Sequence, residues 1–230
     1  MVTLETVKNN KDVRNYILAA DKVMESMGFT DHSYAHLNAV MQRVTNILQV
    51  IDADERTIEL GKIAAYMHDI GICVSRKGHA AHGALIAFRI LTDLGMDSVE
   101  IAQVIGAIGN HDEDSGYPIS HIAAALILAD KSDIRRSRVR NPHDKNNDIH
   151  DVVNYAVTST RLSVNHDSKK IVLELEMDEC ASAFDLFSIY SGRLEMCRIA
   201  AKELGCVFNV KINDLLVKGI VSYDSMLDNK

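Results

Sequence analysis

Apolar residues recur at helical spacing through the first two-thirds of the chain. Between Ser33 and Ile51 they return every three or four positions, as residues on one face of a helix do. This spacing, with short polar cap residues before it and glycines after it, predicts successive helices. Gly71, Gly95 and Gly205 are expected in the left-handed conformation that ends a helix. The predicted helices cover about 10–27, 31–51, 52–68, 79–94, 98–109 and 121–136.

The pattern changes near residue 158. Ile171, Leu173, Leu175 and Met177 alternate with other residues at the period of two that is typical of a strand. Two strands are predicted within 158–178, then a helix over 182–204 and a strand over 206–212. We therefore predict a mainly α protein, with a helical domain at 1–157 and a small α+β subdomain at 158–230.

Composition narrows the classes of function. A chain of 230 residues can bury a full core, and its net charge of −7 argues against general nucleic-acid binding. No run approaches the roughly 18 apolar residues of a membrane span, and the N-terminus lacks a signal-peptide pattern. The four scattered cysteines indicate free thiols. We expect a cytoplasmic protein without a membrane partner, and a homodimer is left open.

Several predicted helices or helix ends carry an imidazole or a carboxylate toward the interior. A single buried histidine is more often a hydrogen-bonded core residue than a ligand. Asp130, however, ends an unbroken apolar run from 122 to 129, and such a carboxylate is costly to bury without a partner or a cation. Convergence of such groups in a helical bundle favours a metal site. The candidate ligands are His36, His68, Asp69, His82, His111 and Asp130.

The ligand types indicate the metal chemistry. Imidazole and carboxylate without thiolate suit iron or manganese, and also tolerate cobalt, nickel, zinc and magnesium. Six ligands exceed the roughly three protein ligands of an open catalytic zinc. We therefore expect two divalent ions bridged by a carboxylate and a water, an arrangement that activates the water as a nucleophile.

A basic segment follows Asp130. Lys131 and Arg135 are predicted to lie one turn apart on the last predicted helix, where they could hold phosphate oxygens. Arg76 and Lys77 offer a second clamp for the same kind of substrate. The alternative is a solvated helix end, where cations complement the helix dipole. The segment lacks interleaved aromatic residues, so it does not indicate a nucleic-acid surface.

Four motifs carry a family resemblance. HDIG, HAAHGA, AIGNHDEDSGYP and LADKSD, at 68–71, 79–84, 107–118 and 128–133, resemble the HD superfamily of metal-dependent phosphohydrolases, in its six-ligand dinuclear branch. The second and fourth are similar to segments of HD hydrolases that cleave dinucleoside polyphosphates. The Gly-Tyr-Pro resembles the HD-GYP phosphodiesterases. Asn110 and Ile72 stand where that group has histidine and lysine, which argues against cyclic-dinucleotide cleavage.

The resemblance implies a role for each candidate. One metal would be held by His36, His68, Asp69 and Asp130, and the second by His82 and His111 with Asp69 bridging. His79 is the alternative to His82, and His121 is expected at a helix start or behind the ligands. The implied activity is hydrolysis of a phosphate ester or anhydride, of nucleotide type, by a metal-bridging hydroxide. Asp69 and Lys131 would be catalytic, and Asp133 or Asp112 would relay a proton.

Three other interpretations fit the same residues. HD proteins with a similar ligand set include mixed-valent di-iron oxygenases. A non-catalytic protein could use the same pocket to sense a nucleotide. The plainest interpretation is a helical protein whose buried histidines are hydrogen-bonded within the core.

Overall fold

The chain is mainly α-helical, with a small sheet near its C-terminus, as predicted. The structure, a computed structural model, describes residues 1–113, 116–140, 149–165 and 167–218. The predicted subdomain's last residues, 219–230, lie outside these ranges. The helices are α1 Leu4–Asn9, α2 Lys11–Ser26, α3 Tyr34–Val50, α4 Glu55–Met67, α5 His79–Asp93, α6 Ser98–Gly109, α7 His121–Lys131, α8 Ile149–Ala156 and α9 Ala183–Glu203.

Capping residues explain where several helices begin and end. The Ser33 hydroxyl accepts the Ala35 N–H at 3.2 Å and begins α3. Asp54, two residues later than predicted, accepts the Thr57 N–H at 2.9 Å and begins α4. The expected left-handed glycines after α5 and α9 are confirmed, with φ of +77° at Gly95 and +68° at Gly205.

The left-handed conformation predicted for Gly71 was wrong. Gly71 lies inside a short 3-10 helix, Ile70–Cys73, and is absent from the residues with positive φ. A Cβ atom there would lie 2.1 Å from the His79 carbonyl oxygen and 2.3 Å from the Gly83 nitrogen. Gly71 is therefore needed for close approach, because its missing side chain lets the 3-10 helix touch the first turns of α5.

Helix α7 ends earlier than predicted, at Lys131 rather than near residue 136. The Ser132 hydroxyl donates to the Ala129 carbonyl at 3.0 Å, and such local bonds compete with helix continuation. Arg135 is extended, with φ −163° and ψ 149°, and a second 3-10 helix follows at Arg136–Arg138. The predicted spacing of Lys131 and Arg135 on one helix face is therefore lost.

The sheet has the strand order β1-β2-β3-β4, with β1 Val157–Asn165, β2 Lys170–Met177, β3 Val207–Ile212 and β4 Leu215–Lys218. The outer pairs are antiparallel, whereas β2 and β3 are parallel and joined through α9. The predicted strands and α9 are confirmed, but α1, α8 and β4 were not predicted.

The sheet and the helices share one hydrophobic core. Leu126 of α7, Leu194 of α9 and Phe208 of β3 belong to the same buried cluster. The predicted boundary between residues 157 and 158 falls within β1, so the division into two domains stays a prediction. No helix in the described parts of the chain is both long and apolar enough to traverse a lipid bilayer.

Gly71→Ala should destabilise the protein strongly. Its Cβ would meet backbone atoms of α5, which cannot turn aside as a side chain can, so we expect a loss of about 3 kcal/mol or more. Gly192→Ala, on α9 with no atom within 4 Å of the added carbon, is the matched control and should stabilise by about 0.5–1 kcal/mol. Urea unfolding measures both, and a neutral Gly71→Ala would contradict the close approach.

Candidate metal centre

Five helix ends or helix-flanking segments bring histidine and aspartate side chains to one point. His36 lies in the first turn of α3, His68 caps the C-terminus of α4, and Asp69 follows it. His79 begins α5, His111 follows α6, and Asp130 lies in the last turn of α7. His36, His68, Asp69 and His111 are buried, with at most 6% of each residue exposed.

Each of these histidines is held through Nδ1. His68, His79 and His111 each have Nδ1 within 3.0 Å of the carbonyl oxygen three residues earlier. A carbonyl only accepts, so Nδ1 donates and a neutral ring presents the lone pair of Nε2. His36 is held by a side chain instead, because its Nδ1 lies 2.8 Å from Asp133 Oδ2.

His36 and His68 form a first pair, whose Nε2 atoms face Asp69 Oδ2 and Asp130. Asp69 Oδ2 lies 3.0 Å from His68 Nε2 and 3.6 Å from His36 Nε2. Asp130 Oδ1 lies 3.3 Å from His36 Nε2 and 3.7 Å from His68 Nε2. Ligand atoms of His36, His68 and Asp130 all lie within 4.8 Å of one another, as a single ion requires.

The second pair faces the other oxygen of Asp69. Asp69 Oδ1 lies 3.5 Å from His79 Nε2 and 3.7 Å from His111 Nε2. The two ring nitrogens are 3.1 Å apart. Asp69 thus stands between two pairs of histidines, one at each carboxylate oxygen, which is the placement of a bridging ligand.

The histidine Nε2 lone pairs and the oxygens of Asp69 and Asp130 are all hydrogen-bond acceptors, and a cation between them would stabilise their close packing. Asp69 Oδ2 is buried and accepts no well-aligned hydrogen bond, although His68 Nε2 is close. Burial alone would lower the pKa of His68, but the Asp69 and Asp130 carboxylates outweigh it and raise this pKa to about 10. Without a metal, a proton on His68 therefore takes the cation's part. The donor set, imidazole nitrogens and carboxylate oxygens, suits a divalent transition metal.

The structure brings His79, rather than the predicted His82, to this position beside Asp69 Oδ1. The ring of His82 lies over Gly78, with Cε1 3.6 Å from where a Cβ would stand there, and its Nδ1 is buried without a hydrogen bond. His79 occupies the position that was expected for His82. The 3-10 helix at Gly71 packs against the first turn of α5 and directs that turn toward Asp69.

The basic segment after Asp130 divides between two faces. Lys131 lines a cavity of about 310 Å³ beside the centre, together with Arg76 and Lys77. Arg135 faces away from it, because its Nε donates to Asp133 Oδ1 at 2.9 Å and its Nη1 donates to Ser137. The substrate-binding role predicted for Arg135 is therefore not supported by its position.

Asp133 also lies away from the cavity, so its position does not support the proton-relay role predicted for it. Its carboxylate is fully buried, accepts from His36 Nδ1, and forms ion pairs with Arg43 and Arg135 at 3.1 and 2.9 Å. Burial would raise the pKa of Asp133, but the His36 hydrogen bond and the nearby arginines hold it far below its usual range. Asp133 is therefore ionised at neutral pH and orients His36 through this hydrogen bond.

Several cavity residues were missed by sequence reasoning. His32 has Nδ1 2.8 Å from the Thr30 carbonyl and Nε2 3.9 Å from Asp69 Oδ2. Its spacing of four from His36 was a usable signal. Arg138 lies 3.2 Å from His32 Nε2, and Arg193 of α9 reaches the same cavity. Arg138 belongs to the basic segment after Asp130, although only Lys131 and Arg135 were singled out there. No local pattern marks Arg193, which reaches the cavity through long-range packing. His121, as expected, is the first residue of α7.

No family model matches the chain. The chain is 25% identical over 221 residues to the uncharacterized protein MJ1020 of Methanocaldococcus jannaschii, covering 85% of this chain and 83% of that protein. A crystal structure described as a "predicted HD superfamily hydrolase", from an uncultured Thermotogales bacterium, is 26% identical. It covers 54% of this chain and 68% of its own, with a TM-score of 0.44 that does not establish a shared fold.

His79→Ala should lower the bound metal, whereas His82→Ala should leave it unchanged. His79 Nε2 faces Asp69 Oδ1, whereas the ring of His82 lies over Gly78. Loss of a ligand should weaken the affinity of the second ion by more than about 100-fold. Elemental analysis of tag-free protein measures the ratio of metal to protein. The reverse result for the two variants would restore His82 as the ligand.

Asp133→Asn should lower the free energy of unfolding by about 3 kcal/mol at neutral pH, because it leaves buried arginines without their anion. A depressed carboxyl pKa stabilises the fold above the unfolded pKa of about 4 and loses this effect as the pH falls. The difference between wild type and variant should therefore shrink below about pH 4. Urea titrations at pH 7 and pH 3 test this, and a constant difference would contradict it.

Proposed function

We propose that this protein is a metal-dependent phosphohydrolase of the HD type, which cleaves a phosphate ester or anhydride. The observation that carries the proposal is Asp69, whose two oxygens each face a pair of histidine Nε2 atoms beside a cavity lined with cations. The histidine–aspartate motifs support the assignment of the family, and the geometry supports two ions rather than one.

The residues divide into two ligand sets. His36, His68 and Asp130 with Asp69 Oδ2 would hold one ion, and His79 and His111 with Asp69 Oδ1 would hold the other. Two divalent ions, iron or manganese by the chemistry of the donors, would supply an activated water and charge stabilisation. The protein's own contribution is a set of rings already fixed by their Nδ1 hydrogen bonds.

Lys131 supports the phosphate part of the proposal. Its ammonium is buried and lies 2.8 Å from Asp130 Oδ2. Burial would lower the pKa of Lys131, but Asp130 and Glu113 outweigh it and raise this pKa, so the amine stays charged. A fixed cation beside the ligands suits the non-bridging oxygens of a phosphoryl group, with Arg76 and Lys77 as further cations of the cavity.

Asp112 is the better of the two carboxylates considered for proton transfer. It lines the cavity, and its Oδ2 lies 3.8 Å from His79 Nδ1, whereas Asp133 is enclosed behind His36. A carboxylate in the cavity can accept a proton from the attacking water or return one to the leaving group.

A nucleotide-type substrate is proposed with its phosphates in the cavity and its base outside. The described residues that line the cavity include no phenylalanine, tyrosine or tryptophan on which a base would stack. The cations and histidines instead suit a phosphate chain, so we expect phosphate chemistry rather than base recognition to dominate affinity.

Asp69→Ala should remove both the metal and the hydrolysis. Losing the shared ligand should lower metal affinity and the rate of cleavage by more than about 100-fold. The matched control is Asp93→Ala, an exposed carboxylate paired with Arg89 at the end of α5. The measurements are elemental analysis of tag-free protein and a screen of phosphomonoesters, dinucleoside polyphosphates and cyclic dinucleotides with the metal found.

Other outcomes identify the rival functions. Full activity in Asp69→Ala would refute the proposal. Iron-dependent oxygen uptake with a mixed-valent spin signal would indicate an oxygenase. Nucleotide binding without turnover would indicate a sensor, and protein without metal would indicate histidines that are only hydrogen-bonded.

A further inference from the structure

Helix α9 contributes a cation to the cavity from the far end of the chain. Arg193 Nε lies 2.8 Å from Glu113 Oε1, and Lys131 Nζ lies 3.4 Å from the same oxygen. Lys131 also contacts Asp130, which belongs to the first ligand set. One oxygen of the Glu113 carboxylate thus lies between the Arg193 guanidinium and the Lys131 ammonium. Lys131 directly follows the candidate metal ligand Asp130 in sequence.

The two cations are fixed more firmly than the carboxylate between them. The Arg193 guanidinium lies 4.9 Å from the ring centre of Tyr190, which is fully buried one turn earlier on α9. The side chain of Lys131 is only 5% exposed, whereas that of Glu113 is 30% exposed. Glu113 is the most exposed of the three side chains and can turn toward solvent and be hydrated. Burial holds Lys131, and the contact with Tyr190 holds Arg193, whose side chain is 22% exposed.

We propose that Arg193 and Lys131 form a second oxyanion position, which Glu113 fills until the substrate arrives. The substrate then carries another phosphoryl group besides the one attacked, as a diphosphate or longer phosphate chain does. An arginine fork suits a phosphoryl group because it donates two parallel hydrogen bonds, and a dianionic phosphate attracts the two cations more strongly than one carboxylate.

The inference rests on the proposed function, since it names a second group of that substrate. It also gives the C-terminal part of the chain a role at the site. The α9 helix that joins β2 to β3 would recognise the length of the phosphate chain, whereas the ligand sets would act on a single phosphoryl group.

The test is calorimetric binding of inorganic pyrophosphate and of inorganic phosphate to the metal-loaded, full-length protein. Arg193→Ala should weaken pyrophosphate binding about 10- to 100-fold, the range expected for a charged hydrogen bond. Binding of inorganic phosphate should change less than about twofold. Arg193→Lys should recover part of the loss, since it restores the charge without the fork. Arg198→Ala is the matched control, because Arg198 pairs with Glu195 on the same helix.

Glu113→Gln gives an independent result. Removing the competing charge should tighten pyrophosphate binding several-fold, whereas a purely structural Glu113 would give unchanged or weaker binding. Metal content and thermal midpoint verify that each variant is folded. Should Arg193→Ala not fold, Arg193→Lys and Glu113→Gln still decide.

The inference is overturned if wild-type protein does not bind pyrophosphate, if Arg193→Ala binds it normally, or if Glu113→Gln leaves the binding unchanged or weakens it. Failure of the proposed function has a different signature. Arg193-dependent pyrophosphate binding without hydrolysis of any phosphate would leave the subsite standing and remove the enzyme. Hydrolysis of a phosphate substrate, with pyrophosphate binding that does not depend on Arg193, would support the enzyme and refute the subsite.

Discussion

A buried carboxylate surrounded by lone pairs is the constraint that organises this protein. Five histidine rings have a nitrogen 3.0–3.9 Å from an oxygen of Asp69, and its Oδ2 accepts no aligned hydrogen bond. Such a group is costly in a protein interior unless a cation shares the space. The surrounding fold is therefore understood best as a scaffold that holds helix ends at fixed distances from this carboxylate. Gly71 allows the closest of these approaches. Helices α7 and α9 share the hydrophobic core and contribute Lys131 and Arg193 to the lining of the cavity.

Much of this arrangement follows from local sequence, and the errors show where local sequence stops being sufficient. Periodicity located the longer helices, and it brought His36, His68, Asp69, His111 and Asp130 forward as one set, which the structure gathers. It could not choose between His79 and His82, because both lie in the first turns of α5. That choice depends on how α5 is rotated, and the contact of Gly71 with Gly83 sets the rotation. A contact between segments has no signature in the spacing of either one.

Arg135 and Arg193 illustrate the same limit from opposite directions. Arg135 was assigned to the site because α7 was predicted to continue to about residue 136. The helix ends at Lys131 instead, and an ion pair with Asp133 holds the Arg135 side chain away from the cavity. Arg193 lies about 60 residues beyond the motifs and carries no signal of its own. It reaches the cavity because the parallel pairing of β2 and β3 requires a crossover, and α9 packs on α7 as that crossover. The strands of the sheet supply no residue to the candidate centre. The crossover between β2 and β3 nevertheless brings Arg193 of α9 to the cavity beside it.

The hydrogen bonds of the histidine rings separate two properties that are usually treated together. His68, His79 and His111 each bind the carbonyl three residues before them, so the orientation of each ring belongs to its own turn of chain. The location of each ring belongs to the tertiary fold. His36 is different, since its partner Asp133 is 97 residues away. The rings of His68, His79 and His111 would accordingly keep their tautomer during small local motions of the helices. The orientation of the His36 ring would change with any movement between α3 and the segment after α7. The candidate centre therefore has one histidine, His36, whose ring orientation depends on the tertiary packing of distant segments of the chain.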